Sequence, residues 1–104
     1  KTTVGYTGYR SRVFAKEGMG MFFDMGYQDL HYFWMSQVPF PLDVIVIGED
    51  YTVVDIVEGL PNNEESFTSK AEATYVVETL HGWCKSNNIV EGTRVEFTDP
   101  WGRM

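Results

Sequence analysis

Four β-branched residues stand in an unbroken row, Val44-Ile45-Val46-Ile47, preceded by Pro41-Leu42-Asp43 and followed by Gly48-Glu49-Asp50. A branched Cβ loses rotamer freedom against a helical turn and packs well on a pleated surface, so the row is a strand. Side chains along a strand point to opposite faces in alternation. A row with no polar residue in it therefore needs apolar cover on both sides.

The rest of the chain supplies that cover in short pieces. Gly48-Glu49-Asp50 is a turn, and Thr52–Glu58 is the returning strand of a hairpin. Gly20-Met21-Phe22-Phe23 is a compact apolar strand, followed by a loop over Asp24–Asp29 that contains Gly26. Tyr32–Met35 is a second short strand. Pro39 and Pro41 cannot donate to a ladder, so they mark a turn or an edge. Pro61–Ser66 is a polar loop whose acidic run is solvated. Ala73–Glu78 is another strand. Thr79 then serves as N-cap of a helix from Leu80 to about Asn87. In that helix Leu80, Trp83, Cys84 and Asn87 share a face, which points Trp83 at the core, and Asn88 is a left-handed C-cap. Glu91-Gly92 turns the chain into a strand over Thr93–Thr98, and the tail from Asp99 is loose. One helical turn opens after Thr2 or Thr3, weakened by Gly5 and Gly8. About six short strands with one or two short helices make an α+β fold with a mostly antiparallel, curled or barrel-like β-sheet.

Size and charge narrow the function classes. The 104 residues fit one domain, 1–104, with no linker or repeat. A formal net charge of -7 argues against duplex binding, which depends on Lys and Arg neutralising phosphates. It also argues against anchoring on an anionic membrane. Cys84 is the sole cysteine, which excludes an intrachain disulfide and a multi-cysteine zinc site. No apolar run approaches the roughly 20 residues of a membrane span. No signal peptide is present, although Lys1 could follow one already removed, so a soluble protein is expected with export left open. Aromatic residues reach 15% of the chain, which suits half-buried strand faces or an aromatic binding surface.

The string His31-Tyr32-Phe33-Trp34-Met35 followed by Pro41-Leu42-Asp43 resembles a family signature. The chain is similar to the family called Domain of Unknown Function 192. Gly20-Met21-Phe22-Phe23 matches a second motif of that family, His31 with Phe33-Trp34-Met35 a third, and Pro41-Leu42-Asp43 a fourth. Val77-Glu78 stands at the Leu-Glu position, Gly82 at the helix glycine and Gly92-Thr93-Arg94-Val95 at the ending. Gly8-Tyr9-Arg10 is a degraded version of the opening motif, and Arg12 matches a basic residue four positions on. The resemblance covers about residues 8–97. It implies a further β-strand before the first helix, for which this chain has almost no room. The sheet edge left uncovered invites pairing with a second copy, so a homodimer is a third kind of expectation.

Five residues are the candidates for a ligand site: Arg12, His31, Trp34, Asp43 and Glu78. His31 offers an imidazole for acid–base work, or else is a structural histidine that fixes the loop into Phe33. Asp43 opens a buried strand and Glu78 ends one, and a carboxylate in such a place must be paired, capped or in a cleft. Two such groups could share acid–base work. Alternatively, Glu78 supports a helix's first turn and Asp43 satisfies backbone donors near Pro39–Pro41. Trp34 and Met35 cannot both face inward, so one of them, with Tyr32 and Phe40, lines a cleft for a sugar or an apolar ligand. His81-x-x-Cys84 places two metal-capable groups on one helix face, but such pairs arise easily by chance, and no metal or cofactor is expected. A catalytic Cys84 would need a base and an electropositive setting that the sequence does not supply. These residues favour a non-enzymatic ligand-binding or accessory domain with an aromatic cleft near His31, Trp34 and Asp43. The alternatives are a small hydrolase-like enzyme using Asp43, Glu78 and His31, and a structural subunit of an assembly.

Overall fold

The computed structural model describes residues 20–96. The strands are β1 (Gly20–Asp29), β2 (Tyr32–Phe33), β3 (Leu42–Ile47), β4 (Val53–Gly59), β5 (Phe67–Thr68) and β6 (Ala73–Leu80). One helix, α1 (Trp83–Ser86), follows them. Four strands form an antiparallel sheet in the order β1-β6-β3-β4, and β2 pairs with β5 in a separate two-stranded ribbon.

The β-branched row dictates this layering. All six residues of β3 are buried. Leu42, Val44 and Val46 point to one face, here the front; Asp43, Ile45 and Ile47 point to the back. On the front, Phe33 of β2 and Phe67 of β5 lie with ring centroids 5.8 Å apart. They cover a cluster of Met25, Val44, Val46, Ala73 and Val76. Beside it, the turn after β2 delivers Met35 and Val38 onto Leu42, with Phe40 half-buried against them. On the back, Cys84 and Trp83 of α1 pack with Ile45, Ile47 and Val53, joined by Ile89 and Val95. Each fully buried aliphatic side chain stabilises the fold by about 1.5–3 kcal/mol.

Three sequence expectations need correction. First, Asp24–Asp29 is not a loop but the second half of β1. Asp24 pairs with Tyr75 and Asp29 with Ala73, so five steps along β1 match two along β6. Gly26 absorbs the bulge at φ 88°, and its N–H donates to Asp24 Oδ1 at 2.9 Å. Gln28 ties the bulge down: its amide donates to the Glu72 carbonyl, and its Oε1 accepts from the Thr74 hydroxyl and the Glu49 N–H. Second, Thr79 is not an N-cap. It is still in β6, and its hydroxyl donates to the Leu80 carbonyl. The helix is a single turn that starts after Gly82, in left-handed backbone at φ 97°. Trp83 does face the core, and Asn88 is the left-handed residue after the helix, at φ 58°. Third, the sheet is not closed into a barrel. Among the described residues β1 and β4 are its two edges, and four strands are too few to close on themselves.

Two further expectations fall partly or wholly outside the described residues. In place of a strand over Thr93–Thr98, Arg94 makes a single bridge to Thr52 and the Val95 N–H donates to the Tyr51 carbonyl; residues from 97 on lie outside. The first helix, Arg12 and the uncovered N-terminal edge also lie outside. No helix among the described residues is long and apolar enough to cross a membrane.

Gly59 shows how tightly the front is packed. A Cβ built there would sit 2.7 Å from Met35 Sδ and 3.1 Å from Met35 Cε, and Met35 is fully buried. Gly59→Ala should therefore lower unfolding stability by about 1–3 kcal/mol, the usual range for overpacking a filled core. Urea denaturation of the variant beside the wild type measures it, and an unchanged midpoint would refute the packing argument.

Candidate functional site

Strand alternation separates the two carboxylates that the sequence brought together as candidates. Asp43 pairs with Thr79 across β3 and β6, and Glu78 pairs with Val44. Cross-strand partners share a face, so Asp43 points to the back and Glu78 to the front. They do not form an acid–base pair.

Asp43 is 5% exposed and fully engaged. Its Oδ1 accepts from His81 Nδ1 at 2.9 Å, and its Oδ2 accepts from the backbone N–H groups of Gly82 at 3.1 Å and Cys84 at 3.0 Å. The first turn of α1 leaves donors without a partner inside the helix, and its own N-cap residue is a glycine with no side chain to supply. Asp43 supplies the cap from a neighbouring strand. The sequence reading had this carboxylate satisfying backbone donors, but at the Pro39–Pro41 turn. At that turn the His81 N–H donates to the Pro41 carbonyl at 3.1 Å.

His31 is buried, and its Nε2–H points at the carbonyls of Ala73 (2.9 Å) and Tyr27 (3.1 Å). Two carbonyl acceptors on one ring nitrogen fix the tautomer with the proton on Nε2. The Thr68 hydroxyl donates to the His31 carbonyl at 2.7 Å. His31 thus joins β1, β5 and β6 at the entry to Phe33, which is the structural alternative raised for it. Cys84 is buried in the back cluster. Burial, with the charge and hydrogen bonding of Asp43, pushes its thiol up to about 12, which disfavours the thiolate form.

Trp34 is where the sequence and the structure meet. Met35 turns fully inward, and Trp34 stays 44% exposed. Its indole N–H donates to the Glu64 carbonyl at 2.9 Å, and Glu64 Oε2 accepts from the Ser36 hydroxyl at 3.0 Å. The acidic loop is thus fastened to the aromatic strand rather than simply solvated. Tyr32, two residues before Trp34 and 62% exposed, stands on the same side. Tyr32, Phe33, Trp34, Glu64 and Ser66 line an open hollow of about 330 Å³. Neither His31, Asp43, Glu78 nor Phe40 lines it.

A second polar cluster, on the back, was not found from sequence. Glu58 is the cross-strand partner of Asp43, and its Oε2 lies 3.8 Å from His81 Nε2. The signal was present in the hairpin, whose register sets Glu58 opposite Asp43. What was missing was the position of His81, which depends on where α1 begins.

A model of the family described as "Uncharacterized ACR" matches residues 4–97. The chain belongs to the DUF192 family. Two solved structures resemble this member of DUF192. One is a protein of unknown function from Novosphingobium aromaticivorans, 29% identical, TM-score 0.73, the match covering 79% of this chain and 59% of that one. The other, from Sinorhizobium meliloti, is named "putative transcription regulator". It is 30% identical, TM-score 0.73, with 78% of this chain and 64% of that one covered. The DUF192 chain described here therefore spans less than two thirds of either structure. No curated protein matches it.

Glu78 supplies a test of the front face. Burial raises its carboxyl from the ordinary 4.5 to about 7. Below pH 4.5 the group is protonated in both folded and unfolded chains. Between 4.5 and about 7 the unfolded chain ionises first, so stability falls as pH rises and levels off above about 7. A gap of roughly 2.5 in pKa corresponds to about 3 kcal/mol. Glu78→Gln should gain on the wild type by about that amount between pH 4 and pH 8. Parallel stability curves for the two proteins would show that Glu78 does not titrate this way.

Proposed function

We propose that this domain binds a small saccharide on the platform made by Tyr32 and Trp34, as a binding or accessory module without chemistry of its own. The observation that carries this is the state of Trp34. The side chain is 44% exposed, yet its only ring donor is tied to the Glu64 carbonyl, so the exposed part of the ring is held in place. A fixed aromatic face loses little conformational entropy when a ligand stacks on it. The C–H face of a pyranose ring suits such a surface. The rim adds the hydroxyl of Ser66 and the carboxylate of Glu64. That carboxylate keeps acceptor capacity beyond the bond from Ser36, enough to take sugar hydroxyls.

Charge supports an uncharged ligand. A net charge of -7 opposes phosphate-bearing partners, so the name carried by the Sinorhizobium meliloti neighbour is not extended to this chain as nucleic-acid binding. The hydrolytic alternative loses its motive with Asp43 and Glu78 on opposite faces of the sheet.

A thermal-shift and tryptophan-fluorescence titration against mono- and oligosaccharides tests the reading. A ligand at 100 times its dissociation constant should add about 2.7 kcal/mol of stability, several degrees in a domain of this size. Trp34→Ala should weaken that response at least tenfold, each protein's shift being measured from its own unliganded melting temperature because the variant also loses the bond to the Glu64 carbonyl. No response to any saccharide, or a response indifferent to Trp34→Ala, would overturn it.

A further inference from the structure

On the back of the sheet, Asp43 and Glu58 stand directly opposite one another on neighbouring strands. Like charges in that position repel. His81 lies between them, with Nδ1 2.9 Å from Asp43 Oδ1 and Nε2 3.8 Å from Glu58 Oε2. Because Nδ1–H is given to Asp43, the neutral ring carries its lone pair on Nε2. That lone pair and the Glu58 carboxylate are then two electron-pair donors facing each other across a gap too long for a hydrogen bond. Both residues are about half exposed, so the gap is open to solvent.

We propose that His81 Nε2 and Glu58 form a surface site for a divalent first-row metal ion of the zinc class. Zn–N and Zn–O bonds are each about 2.0–2.2 Å, so one ion touches both donors across a gap of this width with little movement. Behind the ligands, Asp43 holds His81 by its other nitrogen. This is the carboxylate–histidine–metal arrangement, in which the outer carboxylate orients the ring and makes it a better ligand. Asp43 is itself held by the Gly82 and Cys84 amides, so the ring is placed before any ion arrives. With the His81 and Glu58 side chains each about half exposed, solvent reaches the gap and can fill the remaining coordination positions. Among the described residues no three His, Cys, Asp or Glu side chains converge as a full ligand set, so water must complete this one. The metal neutralises the facing carboxylates and fastens β4 to the turn between β6 and α1. Imidazole with carboxylate favours zinc, nickel and copper over magnesium or calcium.

The chain has two histidines, and His31 is buried with its Nε2–H spent on carbonyls, which makes the test selective. The untagged protein is titrated with ZnCl2 by calorimetry at pH 7.5, and with NiCl2 while the two imidazole resonances are followed by NMR. Nickel should broaden the His81 signals first and leave His31 sharp. Zinc should bind one to one, at least tenfold more weakly in Glu58→Gln and with no measurable heat in His81→Ala. Glu58→Gln leaves the contacts of Asp43 in place and carries the test if His81→Ala, which removes a donor to Asp43, lowers stability. Asp43→Asn should weaken zinc by about 10–100-fold if it still folds. Equal broadening of both histidines, absence of zinc binding, or binding that survives His81→Ala would each overturn the site. Trp34→Ala should bind zinc like the wild type, which keeps this outcome separate from that of the saccharide platform.

Discussion

A buried carboxylate organises the back of this molecule. Asp43 sits in the most apolar strand of the sheet, where an unpaired charge would be untenable. It persists because donors converge on it, among them one imidazole and two backbone amides. Those amides belong to a helix of only four residues. So short a helix cannot hold itself together by propensity, since its nucleation cost is hardly repaid by its few internal bonds. The strand's carboxylate and the helix's orphan amides resolve each other's problem. The contact also fixes the position from which Trp83 and Cys84 reach Ile45, Ile47 and Val53. Remove the carboxylate, and the amides, the turn and the back layer lose a common anchor together.

The front is held by different means. There the cover is a ribbon of two short strands with the turn that follows β2, and the polar contacts run through His31 and Gln28 rather than through an ion pair. His31 works as a rigid connector because both of its acceptors are backbone carbonyls of strands in the main sheet. The ribbon it steadies puts Phe33 and Met35 inward, and the alternation of the chain then leaves Tyr32 and Trp34 outward. The exposed aromatic pair is thus a consequence of filling the front core.

What could be read from the sequence follows from the range of the interactions involved. The β3 row, its hairpin with β4, the strand at Ala73 and the left-handed Asn88 are local patterns, and each is found in the structure. The second half of β1 was missed because Gly26 and two aspartates carry a loop's composition. Their place in the sheet is secured by Gln28 reaching Glu72, Thr74 and Glu49, which lie far along the chain. The start of α1 was misplaced for a similar reason. Thr79 has the chemistry of a cap, yet the cap comes from Asp43, 39 residues from Gly82. Among site residues, Trp34 and Tyr32 border a hollow that His31, Asp43 and Phe40 do not line, and the His31 ring bonds two backbone carbonyls. Asp43 and Glu78 both proved buried, and register alone decided that they face apart. The hairpin register sets Glu58 opposite Asp43, but His81, which completes that cluster, and the Trp34 and Ser36 partners of Glu64 are distant in sequence.

The two candidate sites lie on opposite faces, yet they are built on the same physical principle. In each, an exposed group able to bind something is immobilised through its other end by an interaction completed inside the protein. The Trp34 ring is held through its indole N–H by a backbone carbonyl, and the His81 ring through Nδ1 by a capped carboxylate. An exposed tryptophan or histidine on a free rotor would surrender rotamer entropy on binding, of the order of 0.5–1.5 kcal/mol for each side chain fixed. Here folding has already removed that freedom. Neither tether is needed for the ring itself to stay in water, since both rings are at the surface. Each tether also serves the fold, the indole by fastening the Glu64 loop and the imidazole by satisfying Asp43, so the same bond that completes the structure leaves an exposed ring already oriented.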